Sequence, residues 1–287
     1  MDYPEGIYIS QKAMISLPPS GGRQGNYWEG TGMRTVSIIN LKGGCAKTVT
    51  SINFACELNR RGSRVLLIDC DKQGNTSKFL KCHGYNTASL SDIMLGSAGI
   101  RDAAVRTMYG GLDVVPANMS LISADRQVML DAAKPQQTRI RDALGKVRDD
   151  YTFCVIDCAP DINMSVINAL VASDDVIIPV TIDEFAFDGL LEITRQMDDV
   201  KKYYNPGLNF AGCLVTQYRN DNFHNDGVET LRQMCGRVFD TKIKWSPMVS
   251  RSTFVREPVA VYSPRCGAAR AYREFAAEYE RGIAGNG

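Results

Sequence analysis

A chain of 287 residues, 44% hydrophobic and 23% charged, is long enough for one large α/β domain or two small ones. Its net charge of +1 excludes recognition of nucleic acid or an acidic membrane by bulk charge, so any such surface must be local. No apolar run approaches the ~18–20 residues of a membrane span, and no secretory pattern opens the chain; both point to a soluble, cytoplasmic protein.

Residues 1–32 are rich in breakers, as in Leu17-Pro18-Pro19-Ser20-Gly21-Gly22, and predict a flexible N-terminal extension ahead of one domain spanning 33–287. From Arg34 onward, buried apolar runs alternate with helical periodicity. That is the pattern of an α/β fold, a mostly parallel sheet with helices on both faces. Strands are predicted at Val36 to Ile39, Arg64 to Asp69, Leu112 to Pro116, Phe153 to Asp157, Asp175 to Pro179 and Phe210 to Thr216, with Val238 to Ile243 extended. Helical patterns fill the intervals. They begin near Ile52, run in short segments from Leu90 to Met108, end one helix at Leu130, and recur at Gln137 to Arg148. Further helices are expected at Ala186 to Tyr203, His224 to Cys235 and Ala268 to Arg281. The nine cysteines are scattered with no Cys-x-x-Cys pair, several of them inside apolar runs. They predict reduced, buried thiols rather than a disulfide framework or a metal site.

The first strand runs into Leu41-Lys42-Gly43-Gly44-Cys45-Ala46-Lys47-Thr48-Val49, which opens a helix. A strand, a glycine turn and a helix start gather backbone N–H groups and the positive helix end at one point, a phosphate site. Lys47 is placed to reach the β- and γ-phosphates, and the Thr48 hydroxyl to hold Mg²⁺. Ala46 stands where a plain P-loop has glycine. If that position needs φ > 0, alanine costs roughly 1–2 kcal/mol; if it is right-handed, nothing. The second lysine, Lys42, is the other departure.

Lys42-Gly43-Gly44 with Lys47-Thr48 resembles the deviant Walker A loop of the ParA/MinD superfamily of P-loop NTPases. Asp69-Cys70-Asp71-Lys72-Gln73-Gly74-Asn75 and Asp157-Cys158-Ala159-Pro160 resemble its next two motifs, and the likeness extends to the closing helix. The resemblance implies ATP and Mg²⁺ as cofactors, with the nucleotide held by residues 42–49. Asp157 and Asp69 would support the metal behind Thr48, and Asp71 would orient the attacking water. Lys42 would reach across an ATP-driven homodimer. The base-contact segment departs from the family pattern: Trp245, in Ile243-Lys244-Trp245-Ser246, either stacks on adenine or packs in the core.

Within the superfamily, the glycine-broken acidic C-terminus argues against a membrane-inserting helix, and the unpaired cysteines argue against an iron–sulfur scaffold. The likeness is to the ParA/Soj branch. It implies a partition ATPase that binds DNA non-specifically as a dimer at the nucleoid and is stimulated by a ParB-like partner. The alternative is an ATP-binding positioning or regulatory switch without DNA. From Lys242 to Arg273 there are seven basic residues and one acid, Glu257, which makes this the expected DNA surface. Lys242, Lys244, Arg251 and Arg256 are its candidates, the last two in a predicted loop.

Overall fold

Val65 and Leu67 pack on one side of a central sheet, Leu66 and Ile68 on the other, and all four are buried. A strand can read as an unbroken apolar run only when both of its faces are covered. That condition is met here across most of the sheet. The computed structural model describes residues 32–183 and 188–284. The expected extension at 1–32 therefore lies outside the described residues except for Gly32.

In chain order, β1 (Arg34–Ile38) runs into α1 (Lys47–Arg60), and β2 (Val65–Cys70) is followed by α2 (Asn75–Phe79), α3 (Leu90–Leu95) and α4 (Ile100–Ala103). The short β3 (Val105–Arg106) and β4 (Leu112–Val115) come next, then α5 (Leu121–Leu130), α6 (Arg139–Leu144) and β5 (Phe153–Cys158). The second half holds α7 (Met164–Ala172), β6 (Asp175–Thr181), α8 (Asp188–Tyr203), β7 (Asn209–Thr216) and α9 (Asn222–Cys235). Three helices close the chain, α10 (Pro247–Val255), α11 (Val259–Tyr262) and α12 (Gly267–Ala284).

The sheet order is β3-β4-β2-β5-β1-β6-β7, parallel throughout except for β3. From β1 the chain passes to β2 on one side, while β6 and β7 lie on the other. The carboxyl end of β1 is therefore where strand order reverses, the place where open α/β sheets form a crevice. One face is covered by α1 and α12, whose Phe54 and Phe275 rings sit 5.0 Å apart with Tyr279 edge-on to Phe54 at 5.2 Å. Each such buried aromatic contributes about 1.5–3 kcal/mol. Helices α3 and α5 to α9 cover the other face.

The expected strands and most helices are present, and two expectations need correction. Residues 105–106, expected within a helical region, form the antiparallel edge strand β3 against Val114 and Asp113; two residues are too few to carry a periodic signal. Val238 to Ile243, expected to be extended, runs beside β7 without forming a regular strand, with an isolated bridge at Val238 and another at Lys244 just after it. Arg251 is not in a loop but on α10, where the Ser246 side chain caps the helix by accepting from the Met248 N–H and Pro247 takes the first turn. The expected start of α8 falls partly on residues 184–187, outside the described residues.

Candidate functional site

Two left-handed residues shape the loop between β1 and α1: Gly44 at φ 78° and Ala46 at φ 66°. Glycine adopts this conformation freely, but alanine does so at a cost, so the question left open by the sequence is answered on the costly side. Helix α1 then begins with no side-chain cap and no acid in its first turn. Its first N–H groups and its positive dipole end are left without an internal partner.

The loop is held from the far side of the sheet. Thr216 Oγ1 donates to the Cys45 carbonyl at 3.1 Å, and Gln217 Nε2 donates to the Gly44 carbonyl at 2.7 Å. Gln217 takes a left-handed φ of 53° where it does so. Asn40 bridges Lys42 N–H to the Pro179 carbonyl, at 2.9 and 2.7 Å. The Thr216 and Gln217 bonds tie the Cys45 and Gly44 carbonyls of the loop to the end of β7 and the residue after it. Asn40, Thr216 and Gln217 are the part of the site that sequence reasoning did not single out. Thr216 ends a predicted strand and Gln217 follows it, and the β1–β6–β7 pairing brings both to the loop.

The cleft beside this loop has a volume of about 580 Å³ and is lined by Gly43, Gly44, Ala46, Lys47, Thr48 and Val49. Asp71, Asn75 and Pro160 also line it, with Gln217, Lys244, Trp245 and Tyr272. Most of the expected nucleotide residues therefore converge on one concavity. Lys47 is nearly buried, its Nζ donating to the Lys42 carbonyl at 2.8 Å. Cys45 is buried under the loop, not in the cleft. Trp245 is 53% exposed; of the two alternatives, core packing is overturned. Lys42 does not line the cleft, and its ammonium forms an ion pair with Asp183.

Behind the cleft stand the two motif aspartates, paired across β2 and β5 in register. Asp157 accepts from Ser51 Oγ at 3.0 Å and Thr76 Oγ1 at 2.7 Å, and also bonds Thr48. Asp69 accepts from the Ser77 N–H at 2.8 Å, Ser77 Oγ at 2.6 Å and the Asp71 N–H at 3.2 Å. Burial is the main force on both, pushing Asp157 up to about 6 and Asp69, which also feels Asp157, up to about 8. A buried acid pair of this kind is relieved by a nearby cation. Asp71 lies forward of both, in the cleft wall, its carboxylate accepting from the Gln73 N–H at 2.9 Å. Gly74, at φ 62°, cannot be replaced without conflict, because a Cβ there would stand 2.6 Å from the Ala117 carbonyl oxygen.

The described residues hold no cluster of three or more Asp, Glu, His or Cys able to bind a metal by themselves. Thr48, with Asp157 behind it, fits an ion that keeps most of its water and takes phosphate oxygens, as Mg²⁺ does.

The expected DNA candidates are spread more widely. Arg251 and Arg256 are exposed, at the middle and the end of α10, and Phe254 between them is 90% exposed. Lys244 is exposed but lines the cleft. Lys242 is half-buried with its ammonium 5.5 Å from the Tyr218 ring centroid, and Arg273 turns inward to Glu57.

A family model described as an AAA domain matches residues 33–210. The chain is 36% identical over 251 residues to the chromosome partitioning protein ParA of Caulobacter vibrioides, covering 86% of this chain and 93% of that protein. It is 32% identical over 262 residues to the sporulation initiation inhibitor protein Soj of Bacillus subtilis, covering 88% and 99%. Among solved structures, cobyrinic acid a,c-diamide synthase of Mycobacterium smegmatis with bound ADP and magnesium superposes with a TM-score of 0.74. It is 28% identical, over 85% of this chain and 92% of that one. Sequence and fold agree along the same stretch, and the chain belongs to the ParA/Soj family, within the ParA/MinD superfamily of P-loop NTPases.

Proposed function

We propose that the protein is an ATP-dependent partition ATPase whose cleft binds Mg²⁺-ATP. The observation that carries this reading is the uncapped start of α1, turned by Gly44 and Ala46 toward a cleft that also holds Lys47, Thr48, Asp71 and Trp245. Residues 43–49 bind the phosphates through backbone N–H groups, and Lys47 neutralises the terminal ones. Mg²⁺, held at Thr48 with Asp157 behind it, supplies charge neutralisation at the transferring phosphoryl group. Asp69 positions the start of α2 and supports Asp157, Asp71 orients the attacking water, and Trp245 stacks on the base. The catalytic domain spans 33–287.

In the fuller form of this reading, two copies close on ATP with Lys42 crossing between them. The dimer then binds DNA non-specifically at the nucleoid, through the exposed Arg251 and Arg256 with Lys242 and Lys244, and a ParB-like partner stimulates hydrolysis. A positioning or regulatory switch without DNA is the second reading. What favours it is that Arg273 and Lys242 of the basic segment are drawn into contacts with Glu57 and Tyr218. No helix among the described residues is long and apolar enough to cross a membrane.

The deciding experiment combines phosphate release with DNA co-sedimentation in no nucleotide, ADP, ATP and a non-hydrolysable analogue. DNA pelleting with ATP and the analogue alone supports the partition reading. ATP turnover without DNA binding at low salt supports the switch. Loss of ATP binding in Lys47→Ala is expected in either case, and unchanged affinity in that variant would remove the cleft as the nucleotide site.

A further inference from the structure

All nine cysteines are free thiols, six of them buried. Of the three half-exposed ones, Cys82 bonds the Leu80 carbonyl and Cys266 accepts from the Ala269 N–H. Cys235 differs, because its Sγ lies 3.7 Å from the Sγ of Cys213. Cys70 and Cys158 also touch, but both are buried within the sheet, out of reach of a dissolved oxidant.

The backbone keeps Cys213 and Cys235 together. Cys213 sits on β7, where its N–H donates to the Arg237 carbonyl at 2.9 Å and its carbonyl accepts from the Phe239 N–H at 3.0 Å. Cys235 is the last residue of α9, and Gly236, at φ 68°, turns the chain straight into that pairing. A disulfide needs a sulfur separation of about 2.05 Å, so the two sulfurs must close from their contact distance of 3.7 Å. A half-exposed thiol next to a buried second one is the arrangement in which a sulfenic acid is captured before it oxidises further. The same contact lowers the Cys235 thiol below its ordinary range, while contact and burial hold Cys213 up. Cys235 is the more exposed of the two and Cys213 is buried, so Cys235 is the thiol that meets the oxidant first.

We propose that Cys235 and Cys213 form a reversible disulfide, a modification site at which a hydroperoxide oxidises Cys235 and Cys213 resolves the product. The Cys235 thiolate attacks the peroxide and breaks its O–O bond, giving Cys235 sulfenic acid and a hydroxide or alkoxide that takes up a proton. The Cys213 sulfur then attacks the Cys235 sulfur, the S–O bond breaks, and water leaves with the Cys213 proton. Two electrons pass from the thiol pair to the peroxide, and a dithiol returns them. The loop this bond closes contains Thr216 and Gln217, the residues that hold the carbonyls of Cys45 and Gly44. The modification would therefore brace one wall of the cleft.

The test treats the full chain with a few equivalents of hydrogen peroxide, caps free thiols with iodoacetamide and maps the peptides by mass spectrometry. The first product should be a peptide pair joined at Cys213 and Cys235, two hydrogens lighter than the reduced pair and reversed by dithiothreitol. Cys213→Ser should instead accumulate a Cys235 sulfenic acid that dimedone traps, and Cys235→Ser should form no such link. The proposal is overturned if another pair links first. It is equally overturned if dimedone labels Cys235 in the wild type as fully as in Cys213→Ser. Should either variant fail to fold, the wild-type map alone decides.

Discussion

Lys42 closes on the carboxylate of Asp183, just beyond β6 in its own chain. The family resemblance implies a Lys42 that reaches across a homodimer; in the fold its ammonium has a partner already, 141 residues away. Crossing to a second copy would require leaving Asp183. A half-exposed pair contributes about 0.2–1 kcal/mol, so Asp183→Asn should move ATP-driven dimerisation to as much as several-fold lower protein concentration. Lys42→Ala should bind ATP but dimerise weakly and hydrolyse slowly. Light scattering over a concentration series in ATP and in ADP measures both, and a wild type equally monomeric in the two nucleotides would rule out the ATP-driven dimer.

Ala46, at φ 66°, carries strain that glycine does not. Ala46→Gly should gain about 1 kcal/mol from the relief of that strain, less what glycine adds to the unfolded chain's freedom. Urea unfolding should show a midpoint equal to or above that of the wild type, with ATP affinity kept or improved. A large loss of affinity would mean that the alanine methyl itself is needed in the cleft. Gly74→Ala should do the opposite and lower the midpoint, since its Cβ meets the Ala117 carbonyl oxygen.

Asp69 and Asp157 give the nucleotide-free protein a pH dependence of definite sign. Both folded values are raised above the unfolded ones, Asp69 to about 8 and Asp157 to about 6. The native state therefore binds more protons, and stability falls as pH rises. For Asp69, this contribution is complete below pH ~4, the unfolded value, and is lost as pH rises through about 8. The melting temperature of the wild type relative to Asp69→Asn should fall between pH 5 and 8.5. Parallel curves for the two proteins would show that Asp69 stays ionised in the fold.

Arg251 and Arg256 flank the exposed Phe254 on and after α10. Glutamate at both positions should abolish DNA co-sedimentation while leaving ATP-driven dimerisation intact. Wild-type binding should weaken steeply with salt and show little sequence preference. Wild-type affinity in the double variant would locate the DNA surface elsewhere.

The loop of residues 42–49 was legible because its chemistry is local: strand, glycines, lysine and helix start are consecutive in the chain. The parallel core was legible for a similar reason, since Val65 to Ile68 can all be apolar only if both faces are covered. What was not legible depends on pairing across the sheet. Nothing near Lys42 in the sequence points to Asp183, and nothing near Cys45 points to Thr216. Helix α10 was missed because only Ser252 of its nine residues is buried, which leaves no apolar stripe to read. Its one usable signal was Ser246-Pro247, a cap followed by a proline in the first turn.

Trp245 stands half-exposed at the cleft mouth, its ring centroid 5.7 Å from the Arg219 guanidinium carbon. The chain has one other tryptophan, Trp28, which lies outside the described residues. The consequence is optical. Indole emission responds to local polarity and to groups stacked on the ring, so the protein carries an intrinsic fluorophore at the point where a base would arrive. Adding nucleotide should change the emission of the unlabelled protein, and stopped-flow mixing could then time arrival and departure directly. Trp245→Phe should lose that change.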